Sequence, residues 1–322
     1  MSAGNEPLVS VIIPSYNRAE FVVEAVKSAF DQTYSAVEVI VVDDGSTDDT
    51  CKRLQPYFNQ IRYIYQLNRG AAGARNTGIE AAKGKLIAFL DADDLWLPIK
   101  LELQVKSFER NTALGLVHSN VFYFGPNNYR GCKTKVAMSA YEGDCYGELF
   151  LRNRITTSSV IVRRDCLAKV GVFDETIRRA STEDYDLWIR IARYFEFAYV
   201  EEPLVRYRMH VNNAVNDGWT LIENECYVLE KAITADPCLS KRIGRQRVHE
   251  RLFDMYFSLG YRKFEQGLYT DANRWFLRAL EHKVSLGATL LWTVTRLPRH
   301  LIRNLRLLKK WLNARNLKEG SV

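Results

Sequence analysis

The feature that most limits the fold is an alternation of short β-branched runs with amphipathic segments across residues 8–94. Leu8-Val9-Ser10-Val11-Ile12-Ile13 reads as a strand bounded by Pro14, and Val37-Glu38-Val39-Ile40-Val41-Val42 as a second. Ile61 to Tyr65 reads as a shorter strand, and Leu86-Ile87-Ala88-Phe89-Leu90 as a fully buried one. Helices fit between them: Arg18 to Asp31, a segment after Asp43 with Ser46 or Thr47 as N-cap, and Gly70 to Ala82. This spacing predicts an α/β fold, a mostly parallel sheet with helices on both faces.

Ligands on such sheets bind at the carboxyl ends of the strands. Three polar clusters stand there: Pro14-Ser15-Tyr16-Asn17, Asp43-Asp44-Gly45-Ser46 and Asp91-Ala92-Asp93-Asp94. The spacing therefore predicts one shared site. The last cluster packs three carboxylates into four positions, which is tolerated when water or a divalent cation spreads the charge. Asp91 and Asp93 alternate with Ala92, so in an extended turn both can face one crevice. Hard oxygen ligands suit Mg²⁺ or Mn²⁺ holding a diphosphate better than zinc. The plainer alternative is a solvated turn with Asp94 as a helix N-cap before Pro98.

Beyond residue 95 the pattern is mixed. Pro98 to Arg110 reads as helix, Leu114 to Phe124 as strand, Pro126-Asn127-Asn128 as a turn and Thr157 to Val162 as strand. Glu183 to Tyr194 reads as an amphipathic helix with Trp188 in its core face, and Leu204 to Arg208 as a short strand near His210. From about Trp219 the strand signals stop. Leu259-Gly260-Tyr261, Gly267-Leu268-Tyr269, Ala272, Phe276 and Ala279-Leu280 have helix–turn–helix spacing, similar to one tetratricopeptide-type unit or a plain helical hairpin.

At 322 residues and 47% apolar composition, the chain can hold a catalytic domain and an extension. We place the domain at residues 1–215 and a helical extension at 216–322. No apolar run approaches the roughly 20 residues that span a bilayer, and the N-terminus lacks a signal-like segment, so a cytoplasmic location is expected. The six cysteines form no C-x-x-C pair, which favours reduced, mostly buried thiols.

The runs Ser10-Val11-Ile12-Ile13-Pro14-Ser15-Tyr16-Asn17-Arg18, Val41-Val42-Asp43-Asp44-Gly45-Ser46-Thr47-Asp48, Gly73-Ala74-Arg75-Asn76 and Leu90-Asp91-Ala92-Asp93-Asp94 resemble glycosyltransferase family 2. The resemblance covers about two-thirds of the chain. It implies a GT-A fold, a nucleotide-diphosphate-sugar donor and inversion at the anomeric carbon. On it, Asp44 accepts a hydrogen bond from a uracil-like base, with Gly45 allowing close approach and Pro14 and Tyr16 lining the base pocket. Asp43 and Asp44 could instead only cap the helix behind them, and Tyr16 could be core. Arg75 would contact the nucleotide or its diphosphate, or else form a surface ion pair. Asp93 would ligate the metal, with Asp91 nearer the ribose or a metal-bound water, and His210 could reach the metal or diphosphate. Thr182-Glu183-Asp184 resembles the family's T-E-D, whose Asp serves as base. Its carboxylates open a helix, where the dipole would keep them ionised, with Thr182 as N-cap and Glu183 beside the acceptor. The processive synthases' Q-x-x-R-W and membrane spans are missing, so transfer of one or a few sugars is expected.

The acceptor expected is a glycan or lipid-linked molecule, as in lipopolysaccharide or exopolysaccharide synthesis. After Glu281 no acidic residue occurs until Glu319, while Arg296, Arg299, Arg303, Arg306, Lys309, Lys310, Arg315 and Lys318 intervene. Leu297, Leu301, Leu305, Leu308 and Leu312 recur at helical spacing among them. Residues 296–318 therefore read as a basic amphipathic helix, either lying on the inner face of the plasma membrane or packed on the catalytic domain. Nucleic-acid binding is not expected, because no aromatic interleaving accompanies the charge. A nucleotidyltransferase would need a Gly-rich basic run after the first strand, and none follows Pro14. A non-catalytic sugar-nucleotide-binding or adaptor protein acting through the tail is the alternative in a different class.

Overall fold

The computed structural model of the chain describes residues 6–125, 135–137, 141–177, 182–210 and 218–302. In chain order the elements are β1 (Val9–Ser15), α1 (Val22–Phe30), β2 (Val37–Asp43), α2 (Thr50–Leu54), β3 (Ile61–Tyr65), α3 (Gly70–Ala81), β4 (Leu86–Phe89), β5 (Leu95–Trp96) and α4 (Lys100–Arg110). Then come β6 (Leu114–Phe124), β7 (Lys135–Ala137), α5 (Tyr146–Leu151), β8 (Ile161–Arg163), α6 (Arg164–Val170), α7 (Glu183–Ala192) and β9 (Glu196–Arg208). Helices α8 (Gly218–Ala235), α9 (Leu239–Ile243), α10 (Arg245–Glu265), α11 (Tyr269–His282) and α12 (Leu286–Val294) follow.

The strands form one sheet in the order β3-β2-β1-β4-β8-β6-β9-β5, with β7 on β6. β1 to β4 are parallel, β8 runs against both β4 and β6, and β6 and β9 are parallel. The expected mostly parallel sheet with helices on both faces is therefore present. β1 shows why its residues are apolar throughout. Val9, Val11 and Ile13 join Val22, Ala25, Val26 and Leu101 in one core, while Ile12 points to the other face, against Gly78 of α3.

Several expected boundaries move. α1 starts at Val22, not Arg18. α2 starts at Thr50, whose N–H and hydroxyl are held by Asp48, so neither Ser46 nor Thr47 caps it. Residues 157–159 form a single tight turn ahead of β8 rather than strand. β9 is 13 residues long, far longer than the strand expected over 204–208. Asp94 caps no helix; β5 follows it, and α4 begins only at Lys100. Trp188 is fully buried, as expected. Cys145, Cys166 and Cys226 are buried, whereas Cys51 and Cys238 are exposed. The turn at residues 126–128 and the tail beyond residue 302 lie outside the described residues.

The chain divides into two compact units, Met1–Asn224 with Val228–Ala235, and Glu225–Tyr227 with Asp236–Val322. In the second, α10 and α11 form the expected hairpin, with Gly260 against the ring of Phe276. Phe264, Ala272, Phe276 and Ile302 make its core.

A Cβ on Gly78 would stand 2.4 Å from Ile12 Cγ2, inside a closed helix–sheet contact. Gly78→Ala should therefore destabilise the protein by roughly 1–3 kcal/mol, read from reversible urea unfolding of both forms.

Candidate active site

Parallel register brings the polar clusters to one edge. Ser15 lies opposite Asp43, so the turns after β1 and β2 leave the sheet together. The Leu90 N–H donates to the Ile12 carbonyl at 3.0 Å, which carries Asp91 to the same edge. β8 runs the other way, so the turn before it arrives there. The Asp91 N–H donates to Ser158 Oγ at 3.1 Å, and Ser158 Oγ donates to Asp94 at 2.6 Å. β9 also ends there, and the Arg208 N–H donates to the other Asp94 oxygen at 2.9 Å.

Asn17, at a left-handed φ of 50°, ties the first two turns. Its N–H donates to Ser46 Oγ at 2.9 Å, and its Oδ1 accepts from the Thr47 N–H at 2.8 Å. Pro14 is half-buried, and Tyr16 is 47% exposed, which rules out a core role for it. Gly45 has φ of 83°, and a Cβ there would also meet the Asn68 nitrogen. Asp43 accepts from the Ser46 N–H and from Tyr63 Oη.

Asp44 departs from the simpler capping picture. Its Oδ1 accepts from Gln66 Nε2 at 2.6 Å and the Arg69 N–H at 2.9 Å, and its Oδ2 accepts from the Gly70 N–H at 2.8 Å. It therefore caps α3, not the helix directly behind it. Among the described residues, Oδ2 takes this one hydrogen bond.

Arg75 is not a surface residue; it is 4% exposed. Its guanidinium donates to Glu183 Oε1 at 2.6 Å and to Asp91 Oδ1 at 2.7 Å, and lies 5.4 Å from the centre of the Phe173 ring. Burial works against its charge, yet Asp91 and Glu183 outweigh burial and raise its pKa. One planar fork thus joins the turn after β4 to the start of α7. Glu183, expected beside the acceptor, is buried against this guanidinium.

Asp93 Oδ2 lies 2.9 Å from His210 Nε2 and 3.4 Å from Arg18 Nε. Burial would lift its pKa, but the His210 hydrogen bond and Arg18 outweigh that and lower it. Burial raises the Asp91 pKa against the opposing pull of Arg75, and raises Asp94 well above the usual range. No group of three or more metal-binding side chains occurs among the described residues. A carboxylate oxygen and an imidazole nitrogen converging at 2.9 Å suit a cation that takes its other ligands from water and a diphosphate, and imidazole favours Mn²⁺ over Mg²⁺.

Asp184 is 6% exposed. Its Oδ2 accepts from Thr157 Oγ1 at 2.6 Å, and its Oδ1 from the Tyr185 N–H at 2.6 Å. Burial, then Glu183, push its pKa up to about 7, against the lowering by Thr157 and Arg75. Burial and Glu183 thus work against the ionised form that a helix start favours. Thr182 occupies the N-cap position without a capping side-chain bond.

A carboxyl edge with these four motifs invites comparison with known proteins. The model of glycosyl transferase family 2 matches residues 10–175. An uncharacterized glycosyltransferase of Rickettsia prowazekii is 32% identical over 227 residues, covering 67% of this chain and 69% of its own.

The chain belongs to glycosyl transferase family 2.

It is a glycosyltransferase, which sets aside the adaptor alternative. An uncharacterized glycosyltransferase of Methanocaldococcus jannaschii is 31% identical over 212 residues, covering 64% of this chain and 72% of its own. Chondroitin synthase of Escherichia coli is 29% identical over 216 residues, 64% of this chain but 30% of that longer protein. Among solved structures, S. aureus TarS 1–349 in complex with UDP superposes with a TM-score of 0.64 at 19% identity, covering 93% of this chain and 91% of that one. The mannosyltransferase PcManGT of Pyrobaculum calidifontis, in complex with GDP-Man and Mn²⁺, gives 0.60 at 20%, covering 89% and 79%. The fold is GT-A, followed by a helical C-terminal region.

Sequence reasoning gave no role to several residues that hold this family 2 site together. Arg18 and Arg208 offer only their charge as a signal in the sequence. Thr157 and Ser158 were read as strand. Asn76 exchanges hydrogen bonds with the Phe173 backbone, and Glu175 takes the Arg69 guanidinium, so residues 173–175 close over α3. Lys231 of α8 bridges Asp174 at 2.6 Å and Asp186 of α7 at 2.9 Å.

Removing Arg75 leaves Asp91 and Glu183 without their shared cation. Arg75→Met should cost about 3–5 kcal/mol of stability, and Arg75→Lys, which cannot fork, should fall between it and wild type; urea unfolding of the three proteins checks both.

Proposed function

We propose that this enzyme performs inverting, non-processive transfer of a sugar from a nucleotide-diphosphate donor to a hydroxyl of a glycan or lipid-linked acceptor, in cell-surface polysaccharide or lipopolysaccharide synthesis. The observation that carries the reading is the Arg75 fork, which ties Asp91 to the helix start bearing Asp184. Donor-side and acceptor-side carboxylates then share one sheet edge. Residues 1–215 read as the catalytic domain, braced by Lys231, and 216–322 as the helical extension.

On the donor side, Pro14, Tyr16, Asp44 and Gly45 line a base pocket. UDP and UDP-GlcNAc on TarS, and GDP-Man on PcManGT, support a uridine or guanosine donor. Asp93 and His210, with Asp91 beside them, would hold the divalent cation, Mn²⁺ or Mg²⁺, and Mn²⁺ in PcManGT supports that. When bound, the cation neutralises charge on the departing diphosphate. Arg75 acts through Asp91 and Glu183 rather than on the nucleotide itself.

Asp184 accepts the acceptor hydroxyl's proton as that oxygen attacks the anomeric carbon. The bond from that carbon to the diphosphate oxygen breaks, and the electron pair leaves with the nucleoside diphosphate. A base with a pKa near 7 suits this task, since it can hold and release a proton near neutrality. No described helix is long and apolar enough to cross a membrane. A cytoplasmic enzyme with peripheral contact through residues 296–318 fits a lipid-linked acceptor.

Asp184→Asn should lower kcat by about 10²–10⁴-fold while calorimetry still shows donor binding; wild-type turnover in this variant sinks the assignment. In wild type, kcat/KM at saturating Mn²⁺ should fall below pH about 7, as Asp184 takes up a proton. Thr157 lowers the Asp184 pKa, so Thr157→Val should move that acid limb to higher pH.

A further inference from the structure

We infer that α12 and the residues flanking it form a docking face for an anionic lipid bilayer. The helix is apolar on two sides. Inward, Leu291, Trp292 and Val294 pack on the core of Phe264, Phe276 and Ile302, and Ala288 is fully buried. Outward, Leu286 is 88% exposed and Leu290, one turn on, 61%. Val284 before the helix is 87% exposed, and Leu297 and Leu301 beyond it are exposed too. An exposed apolar run of this extent marks an interaction surface.

Charge selects the occupant. Lys283, Arg296 and Arg299 are exposed beside these residues. The sequence has no acidic residue between Glu281 and Glu319, and Arg303, Arg306, Lys309, Lys310, Arg315 and Lys318 extend the positive run. A second copy of the chain would set this run of cations against an identical one. A nucleic acid would satisfy the cations and leave the leucines in water. An anionic bilayer takes both, with leucines among the acyl chains and cations among the headgroups.

The inference extends the proposed membrane contact, which rested on the tail's sequence, to α12. It does not need the transferase reading to hold, because lipid binding is measured without substrate.

The test is flotation of the full-length protein with vesicles of phosphatidylcholine alone, or with about one-third phosphatidylglycerol. Wild type should float with the anionic vesicles and stay down with the neutral ones. Leu286→Ser with Leu290→Ser should cut the bound fraction about tenfold. Arg296→Glu with Arg299→Glu should do the same and flatten the salt dependence of the binding that remains. Donor binding and the melting temperature, measured on the same samples, should not change. No flotation of folded wild type, or undiminished flotation of the leucine variant, overturns the inference. So does a wild-type dimer that the leucine variant turns into a monomer, which would give the face to a second copy.

Discussion

Seven carboxylates at one sheet edge are the constraint on which the rest of this site depends. Asp43, Asp44, Asp94, Glu183 and Asp184 are all nearly inaccessible to water, and Asp91 and Asp93 are largely so. Charges this close are tolerated only if each finds compensation. Cationic side chains serve three of them: Arg75 serves Asp91 and Glu183, and Arg18 stands with His210 beside Asp93. Neutral donors serve others, as with Tyr63 at Asp43, Ser158 at Asp94 and Thr157 at Asp184. Compensation is therefore uneven. Asp93, bonded to His210 and facing Arg18, is pulled below the usual carboxylate range, whereas Asp184, whose direct partners are neutral, is pushed to about 7. The choice of partner thus sets the two carboxylates apart in their hold on a proton.

Delivering Arg75 to that edge requires α3 to lie close to the sheet and to residues 173–175. The small residues on α3 have specific reasons. A Cβ on Gly73 would stand 2.5 Å from Arg69 Cβ, and one on Gly78 would strike Ile12. Asp44 fixes the start of the helix, and Asn76 fixes the segment that places Phe173 near the guanidinium. The Gly-Ala run thus serves packing first. The closeness it permits is what buries the arginine.

The sheet was legible because strand signals are local: β-branched runs, turn residues and their spacing. The gathering of polar clusters at one edge followed from parallel topology alone. Partner choice was not legible. Arg75 and Glu183 are 108 positions apart, and Asp93 and His210 117, beyond any periodicity argument. The family resemblance brings Asp93 and His210 together and says nothing of the pairing of Arg75 with Glu183. Thr157 was hidden because Thr157-Ser158-Ser159-Val160 has the composition of a strand and folds as a turn. β9 was read short because Glu201-Glu202-Pro203 breaks the apolar alternation, and near that point its register against β6 shifts.

The matched family segment ends at residue 175, yet the groups completing the site come after it. Glu183 pairs with Arg75, Asp184 takes the Thr157 hydroxyl, His210 reaches Asp93, and Lys231 joins Asp174 to Asp186. Each bond has one partner inside the matched segment except the last, whose lysine spans both sides. In the proposed reaction, the earlier segment holds the donor and the later one supplies the base. Such a division needs a few ion pairs to keep the two segments in register. Arg75 and Lys231 are those pairs here, one at the start of α7 and one along it. Their geometry, more than the identity of any single carboxylate, sets where Asp184 stands relative to Asp91.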